Sequence, residues 1–192
     1  MDIKTEKMDF QVIDQASKSL LDELKRRIHR LQSGGTIDSL LEIGADTRKQ
    51  IGASFVSLKE LASHYEPNET VALLLWGSGR REEQIIASFL FPLSLNREKI
   101  MQLLEESMNM EVAGYLGSVY LFKHPQLLEC VVENLPAGNP FQQAAILSAI
   151  AKHRIVYKQD SEISTDCFQE AINREYTDPY VRLVAERYRL NV

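Results

Sequence analysis

The four histidines, His29, His64, His124 and His153, are the residues best suited to acid–base work or metal binding, and their spacing supports neither. No two of them form His-x-x-x-His, the two cysteines form no Cys-x-x-Cys, and no carboxylate cluster stands at metal-ligand spacing. No metal and no cofactor is therefore expected, and each histidine reads as an exposed or capping residue on a helix. Cys130 and Cys167 lie far apart in helix-like contexts. They read as buried free thiols of a reducing cytoplasm, with a disulfide between them as the other reading. Gly77-Ser78-Gly79 has the glycines of a phosphate loop, but no strand precedes it and no Lys-Ser/Thr follows, so it reads as a break between helices.

Three groups of cations can be asked whether they hold phosphate. Lys25-Arg26-Arg27 with Arg30 falls opposite the apolar face of a first helix, beside Asp22 and Glu23, and reads as a solvated face with intrahelical pairs. Arg80 and Arg81 stand at a helix start whose amides could receive an anion, but Glu82 and Glu83 already complement the helix dipole there. Arg174, Arg182, Arg187 and Arg189 accompany Tyr176, Tyr180 and Tyr188; that mixture suits either a polyanion grip or the polar cap of a terminal repeat. The net charge of −5 comes from 22 basic and 27 acidic residues, and most of the acidic excess lies after residue 100. Proteins that live on phosphate backbones are usually basic, because counterion release supplies most of their non-specific affinity. A local basic groove stays compatible with this balance.

The elements that must position these residues are helical throughout. Apolar residues recur at 3.6-residue spacing, and no segment alternates like a strand. Ile13, Ala16, Leu20, Leu24, Ile28 and Leu31 mark a long first helix that Gly34-Gly35 is expected to stop. Ser54 and Asn68 cap the next two helices, separated by Pro67; Ile85 to Leu90 form a stripe closed by Pro92; Asn96 precedes Ile100, Leu103 and Leu104. Further helices run from about Glu111 to Phe122, Pro125 to Leu135, and through Phe141 to Ala151. After a polar loop, Lys158–Ser164, two more follow around Cys167–Ile172 and Pro179–Leu190.

About ten helices in pairs of roughly 30–45 residues match the period of HEAT-like repeats. The expectation is an all-α, HEAT-like (ARM/HEAT-type) stack of hairpins in an α-α superhelix; a compact orthogonal bundle is the other solution. One domain should span 1–192: an N-terminal helix within 1–35, the clearest repeats over 44–155, and capping helices over 160–192. No apolar run approaches the roughly 20 residues of a membrane span, and the charged N-terminus does not suit a signal peptide. A soluble cytoplasmic protein that meets no membrane is expected.

Two segments bring a family into view. Gly44-Ala45-Asp46-Thr47-Arg48-Lys49-Gln50-Ile51-Gly52-Ala53-Ser54 followed by Leu58-Lys59-Glu60-Leu61-Ala62, and Leu75-Trp76-Gly77-Ser78-Gly79 with Glu82 and Ile86-Ala87-Ser88-Phe89-Leu90, resemble in order and separation two elements of the DNA alkylation repair (AlkD-like) family. The resemblance covers about Gly44 to Ile155. It implies a right-handed HEAT-like superhelix with a concave face that cradles duplex DNA. Active members are glycosylases that release N3- and N7-alkylated purines. An Asp close to the departing sugar and Trp rings near the lesion supply the chemistry, by stabilising the oxocarbenium-like charge and packing on the backbone.

This chain departs from that pattern at the positions that matter. With Glu111 and Leu121-Phe122 setting the register, the family's Trp position falls on Met110 and its catalytic Asp position on Gly114. Glu111 lies three residues before position 114, about 60° around the helix by the shorter way, and is not expected to take the place of the missing Asp. Where the family places paired arginines, this chain has Gln142-Gln143, and the family's late Trp is absent, with Arg187 its nearest match. The binding positions under consideration are thus Gln142, Gln143, Arg80, Arg81, Arg182 and Arg187, with no catalytic residue. The expectation is a non-catalytic module that takes DNA structure or a protein partner on its concave face; the alternative is a divergent glycosylase using another carboxylate. Gly114→Asp should be tolerated if the position faces an open groove, whereas a close helix contact there would overturn the register.

Overall fold

A computed structural model describes residues 14–42 and 47–190, so Ile13 and the motif residues Gly44-Ala45-Asp46 lie outside the described residues. The described residues are helical, without strands. In chain order the helices are α1 (Gln15–His29), α2 (Gly34–Glu42), α3 (Phe55–Ala62), α4 (Glu69–Gly77), α5 (Arg81–Leu90), α6 (Arg97–Glu105), α7 (Met110–Val119), α8 (127–137), α9 (Pro140–Tyr157), α10 (Thr165–Asn173) and α11 (Pro179–Arg189).

Local chemistry explains most of these boundaries. The side chains of Asp14, Ser54, Asn68, Asn96, Asn109, Asn139, Ser164 and Asp178 each accept a hydrogen bond from the backbone N–H three residues on. Each such cap contributes about 1 kcal/mol by satisfying a donor the helix leaves open. Asn139 goes further, since Gln142 reaches back to its N–H and completes a capping box. In α8 the five residues Cys130–Asn134 are π-helical, and the Leu135 N–H bonds the Cys130 carbonyl. Pro136 supplies the reason: it has no N–H for the Val132 carbonyl, and its ring crowds that carbonyl.

Two expectations about glycine are corrected. Helix α1 ends at His29, and Gly34-Gly35 open α2 instead of stopping α1; the Ser33 hydroxyl accepts from the Thr36 N–H at 3.4 Å and starts the new helix. Gly77 likewise remains inside α4, and the break comes at Gly79, whose φ of +63° suits glycine. The buried face of α1 is also turned slightly from the expected one: Ser17, Leu21, Leu24 and Ile28 are buried, while Ala16 is exposed.

Tertiary contacts link alternate helices. Helix α3 packs on α5, α5 on α7, α7 on α9 and α9 on α11, while α4 bridges α1 and α5, and α10 lies against α9 and α11. One apolar core runs through them, from Leu21 in α1 to Ala185 in α11. Helix α9 is its axis, buried from Ala144 to Ala151 without a break. Its alanines matter for distance as much as for burial. A Cβ on Gly117 of α7 would stand 2.9 Å from the Ala145 Cα and closer still to its carbonyl, so α7 and α9 approach to backbone contact. Among the described residues no helix is long and apolar enough to cross a membrane.

Candidate functional site

Of the positions singled out from the sequence, Met110 and Gly114 lie on α7 and Arg81 reaches it through Glu111. Gly114 is half-buried, and an added Cβ would meet the Ser148 hydroxyl of α9 at 3.5 Å, an ordinary contact. The close helix contact falls one turn later, at Gly117. Gly114 therefore has room for a Cβ, and Met110, one turn before it, is half-buried as well.

Around Gly114 the surface is aromatic. Phe55 of α3 stacks on Tyr115 of α7, with ring centroids 4.5 Å apart and planes 4° from parallel, and it tilts against Phe89 of α5 at 6.0 Å. Tyr180 of α11 stands near enough that the Glu111 charge raises its pKa, though burial is the larger cause. Tyr115 is raised likewise, first by burial and then by Glu111. Phe55, Phe89 and Tyr115 form a half-buried seam across α3, α5 and α7. Offset stacking of this kind adds about 0.5–1.5 kcal/mol beyond the area it buries.

Glu111, the carboxylate of α7, is held by Arg81. Arg81 of α5 grips Glu111 with two parallel bonds, Nε to Oε2 at 2.9 Å and Nη2 to Oε1 at 2.7 Å. Its Nη1 also donates to the Ala53 carbonyl at 3.1 Å and to Glu82 at 3.3 Å. Glu82, 2% exposed, accepts the Ile51 N–H as well. The Glu111 pair holds the Arg81 guanidinium charged despite its burial. Arg81 was considered as a phosphate contact; the structure commits it to Glu111, Glu82 and Ala53 instead.

Gln142 and Gln143 also turn inward. Gln142 is 7% exposed, completes the Asn139 cap and donates to Glu105 at 3.1 Å, while Gln143 donates to the Leu135 carbonyl at 3.2 Å. Neither is spread on a surface for phosphate. Arg80 remains mostly exposed, 3.9 Å from Glu83. Arg182 is exposed on α11. Arg187 lines a separate cavity with Tyr188. The C-terminal cations are thus not one cluster: Arg174 pairs with Glu170, Arg189 donates to the Ile172 carbonyl, and Tyr176 is buried against the Ala171 carbonyl. In α1, Arg27 pairs with Glu23 as expected, but it also donates to the Tyr65 hydroxyl, and Lys25 reaches Glu83 of α5.

Sequence reasoning missed the residue that seats α7. Gln84 is wholly buried; its amide donates to the Trp76 and Glu106 carbonyls at 3.0 and 3.1 Å and accepts the Met108 N–H at 2.8 Å. It ties the end of α4 and the end of α6 to the strand of chain entering α7, and Trp76 adds a bond to the Leu103 carbonyl. Its one visible signal was a glutamine at an apolar position of the α5 stripe. Two histidines are corrected too. His124 and His153 are buried; the first bonds the Leu95 carbonyl and accepts the Gln126 N–H, the second bonds the Ser161 hydroxyl. Burial lowers both pKa values. Cys130 is buried and its thiol pushed up to about 11 by burial, whereas Cys167 is only half-buried, and both are free. Among the described residues no three His, Cys, Asp or Glu side chains come together as metal ligands do.

Comparison with protein-family models, with curated proteins and with solved structures gives no match for this chain.

Proposed function

We propose that this chain is a non-catalytic helical-repeat module of AlkD-like type, which takes a protein partner on the aromatic seam of α3, α5 and α7. The observation that carries the reading is the chemistry at Gly114. The register puts a glycine where a carboxylate would be needed, and the adjacent Glu111 is neutralised by a bidentate arginine. Moving Glu111 toward a sugar would break both of its bonds to Arg81 and leave that guanidinium with Glu82 and the Ala53 carbonyl alone. A HEAT-like stack is supported by the order of packing, in which every second helix from α3 to α11 touches the next.

A protein partner is favoured over duplex DNA because of what the seam presents. Aromatic rings and paired arginines are the residues enriched at protein interfaces. A phosphate track needs cations without nearby carboxylates, and here Arg81 is closed by Glu111 while the chain as a whole is acidic. The test is a titration against duplex DNA, with and without an abasic-site analogue, at two salt concentrations, beside a single-turnover assay on 7-methylguanine DNA. The expected result is no saturable binding at low salt and base loss no faster than spontaneous depurination. Excision above that background would establish a divergent glycosylase. Salt-steep DNA binding without excision would replace the protein partner with DNA.

A further inference from the structure

A second cavity lies away from the seam, where the C-terminal ends of α9 and α11 meet the start of α10. We propose that it binds a small amphiphilic anion: an aryl or acyl body carrying one carboxylate, sulfate or phosphate. The volume is about 740 Å³, inside the range of roughly 300–1,000 Å³ in which small-molecule sites fall. Its floor is apolar, built from Ala151, Ile163, Phe168 and the Tyr188 ring, with Ile155 at the rim. Ile155 is 66% exposed, a large apolar side chain left in water beside an apolar hollow.

The charge of the lining selects the headgroup. Arg154, Lys158 and Arg187 line the cavity, and among the described residues no Asp or Glu does, on a chain whose net charge is −5. Among the described residues the partners of Arg154 are neutral. Its guanidinium donates to the Ile163 carbonyl at 2.7 Å and to the Thr165 hydroxyl at 3.1 Å, and it lies over the Phe168 ring at 5.3 Å. These contacts orient the cation without neutralising it, which is how a preorganised anion site is built. Lys158 ends α9 with a φ of +50°, the only non-glycine in that region among the described residues, and brings a second cation to the same rim. An amine-bearing ligand would find no carboxylate among the described lining residues, and a wholly apolar one would leave Arg154 and Lys158 facing it with no counter-charge. A single charged head on an apolar body satisfies both surfaces.

The site does not depend on the reading of the seam, and its test needs no DNA. The probe is 8-anilinonaphthalene-1-sulfonate, titrated into the full chain by fluorescence. Its neutral analogue N-phenyl-1-naphthylamine supplies the body alone, and inorganic sulfate supplies the headgroup alone. One saturable site is expected for the sulfonate, with both partial ligands weaker by roughly tenfold or more. Lys158→Gly should weaken the sulfonate by about five- to tenfold without lowering the thermal midpoint, since glycine suits that φ. Ile155→Ser, at an exposed position, should cost about threefold through lost apolar contact. Equal binding of the neutral analogue, or a sulfonate affinity indifferent to Lys158→Gly and to Arg154→Gln, would overturn the proposal. So would displacement of the probe by a single-stranded oligonucleotide with a steep salt dependence, which would make the cavity part of a polyanion track.

Discussion

Arg81, between α5 and α7, and Arg154, at the end of α9, are both arginines laid against neighbouring helices, but Arg81 meets two carboxylates and Arg154 meets none among the described residues. The regions around them differ in the same sense. Near Arg81 the helices close to backbone contact at Gly117 and Ala145, the rings stack, and the charge is cancelled internally. Near Arg154 the helices diverge around an open hollow, and the cations are oriented by carbonyl and hydroxyl groups. A cation neutralised inside the protein holds elements together; one held by neutral groups keeps its field for a ligand. Residue type is the same in both places, and the partner decides the role.

That contrast can be broken most forcefully at Gly117. Gly117→Val should destabilise the fold by about 3 kcal/mol or more, because the new atoms meet the Ala145 backbone, which cannot rotate away. Chemical denaturation measures it, and a loss below about 1 kcal/mol would show that α7 and α9 are not locked there. Next in size is Arg81→Ala, expected to cost about 2–3 kcal/mol: it strands the buried Glu82 and removes the Glu111 grip, discounted because Glu111 is 41% exposed. Arg154→Ala should cost clearly less by the same measurement, since no buried carboxylate depends on it. Equal losses would erase the distinction.

Histidine titration sharpens the comparison from another side. His124 of the closed region uses one ring nitrogen as donor to the Leu95 carbonyl and the other as acceptor from the Gln126 N–H, an arrangement that only neutral imidazole satisfies. Its folded pKa is depressed, so the unfolded chain binds the proton more readily. The stability it supports is complete above the unfolded pKa of about 6.5 and is lost as pH falls through the lower folded value. His153, beside the open cavity, is also depressed by burial. Urea midpoints from pH 7.5 to 5 should fall by the equivalent of about 1 kcal/mol, and His124→Gln should flatten the slope more than His153→Gln. The smallest effects are gains. Lys158→Gly should stabilise by about 0.5–1 kcal/mol by relieving its φ, and Gly114→Ala by a similar amount through helix propensity, because the Cβ there meets only the Ser148 hydroxyl. A loss at Gly114 on thermal melting would shift the register on which the seam's assignment rests.

What could be read from the sequence was local. Ser54, Asn68 and Asn96 act within three residues of themselves, and helical periodicity needs only its own stripe, so all-helical structure and most helix starts were legible. Gly34-Gly35 and Gly77 misled for the complementary reason: glycine permits a break without requiring one, and Ser33 and Gly79 set the boundaries. The absence of an acid at position 114 was also a local fact. Only the tertiary structure decided which charges are cancelled, because Arg81 and Glu111 stand thirty residues apart, and Gln142 finds Glu105 across another thirty-seven. It alone decided that Gln84 is a buried staple, that His124 accepts a backbone N–H on one ring nitrogen, and that Arg187 lines a cavity. Burial and pairing are properties of packed surfaces, and a linear pattern fixes neither which helices meet nor how closely.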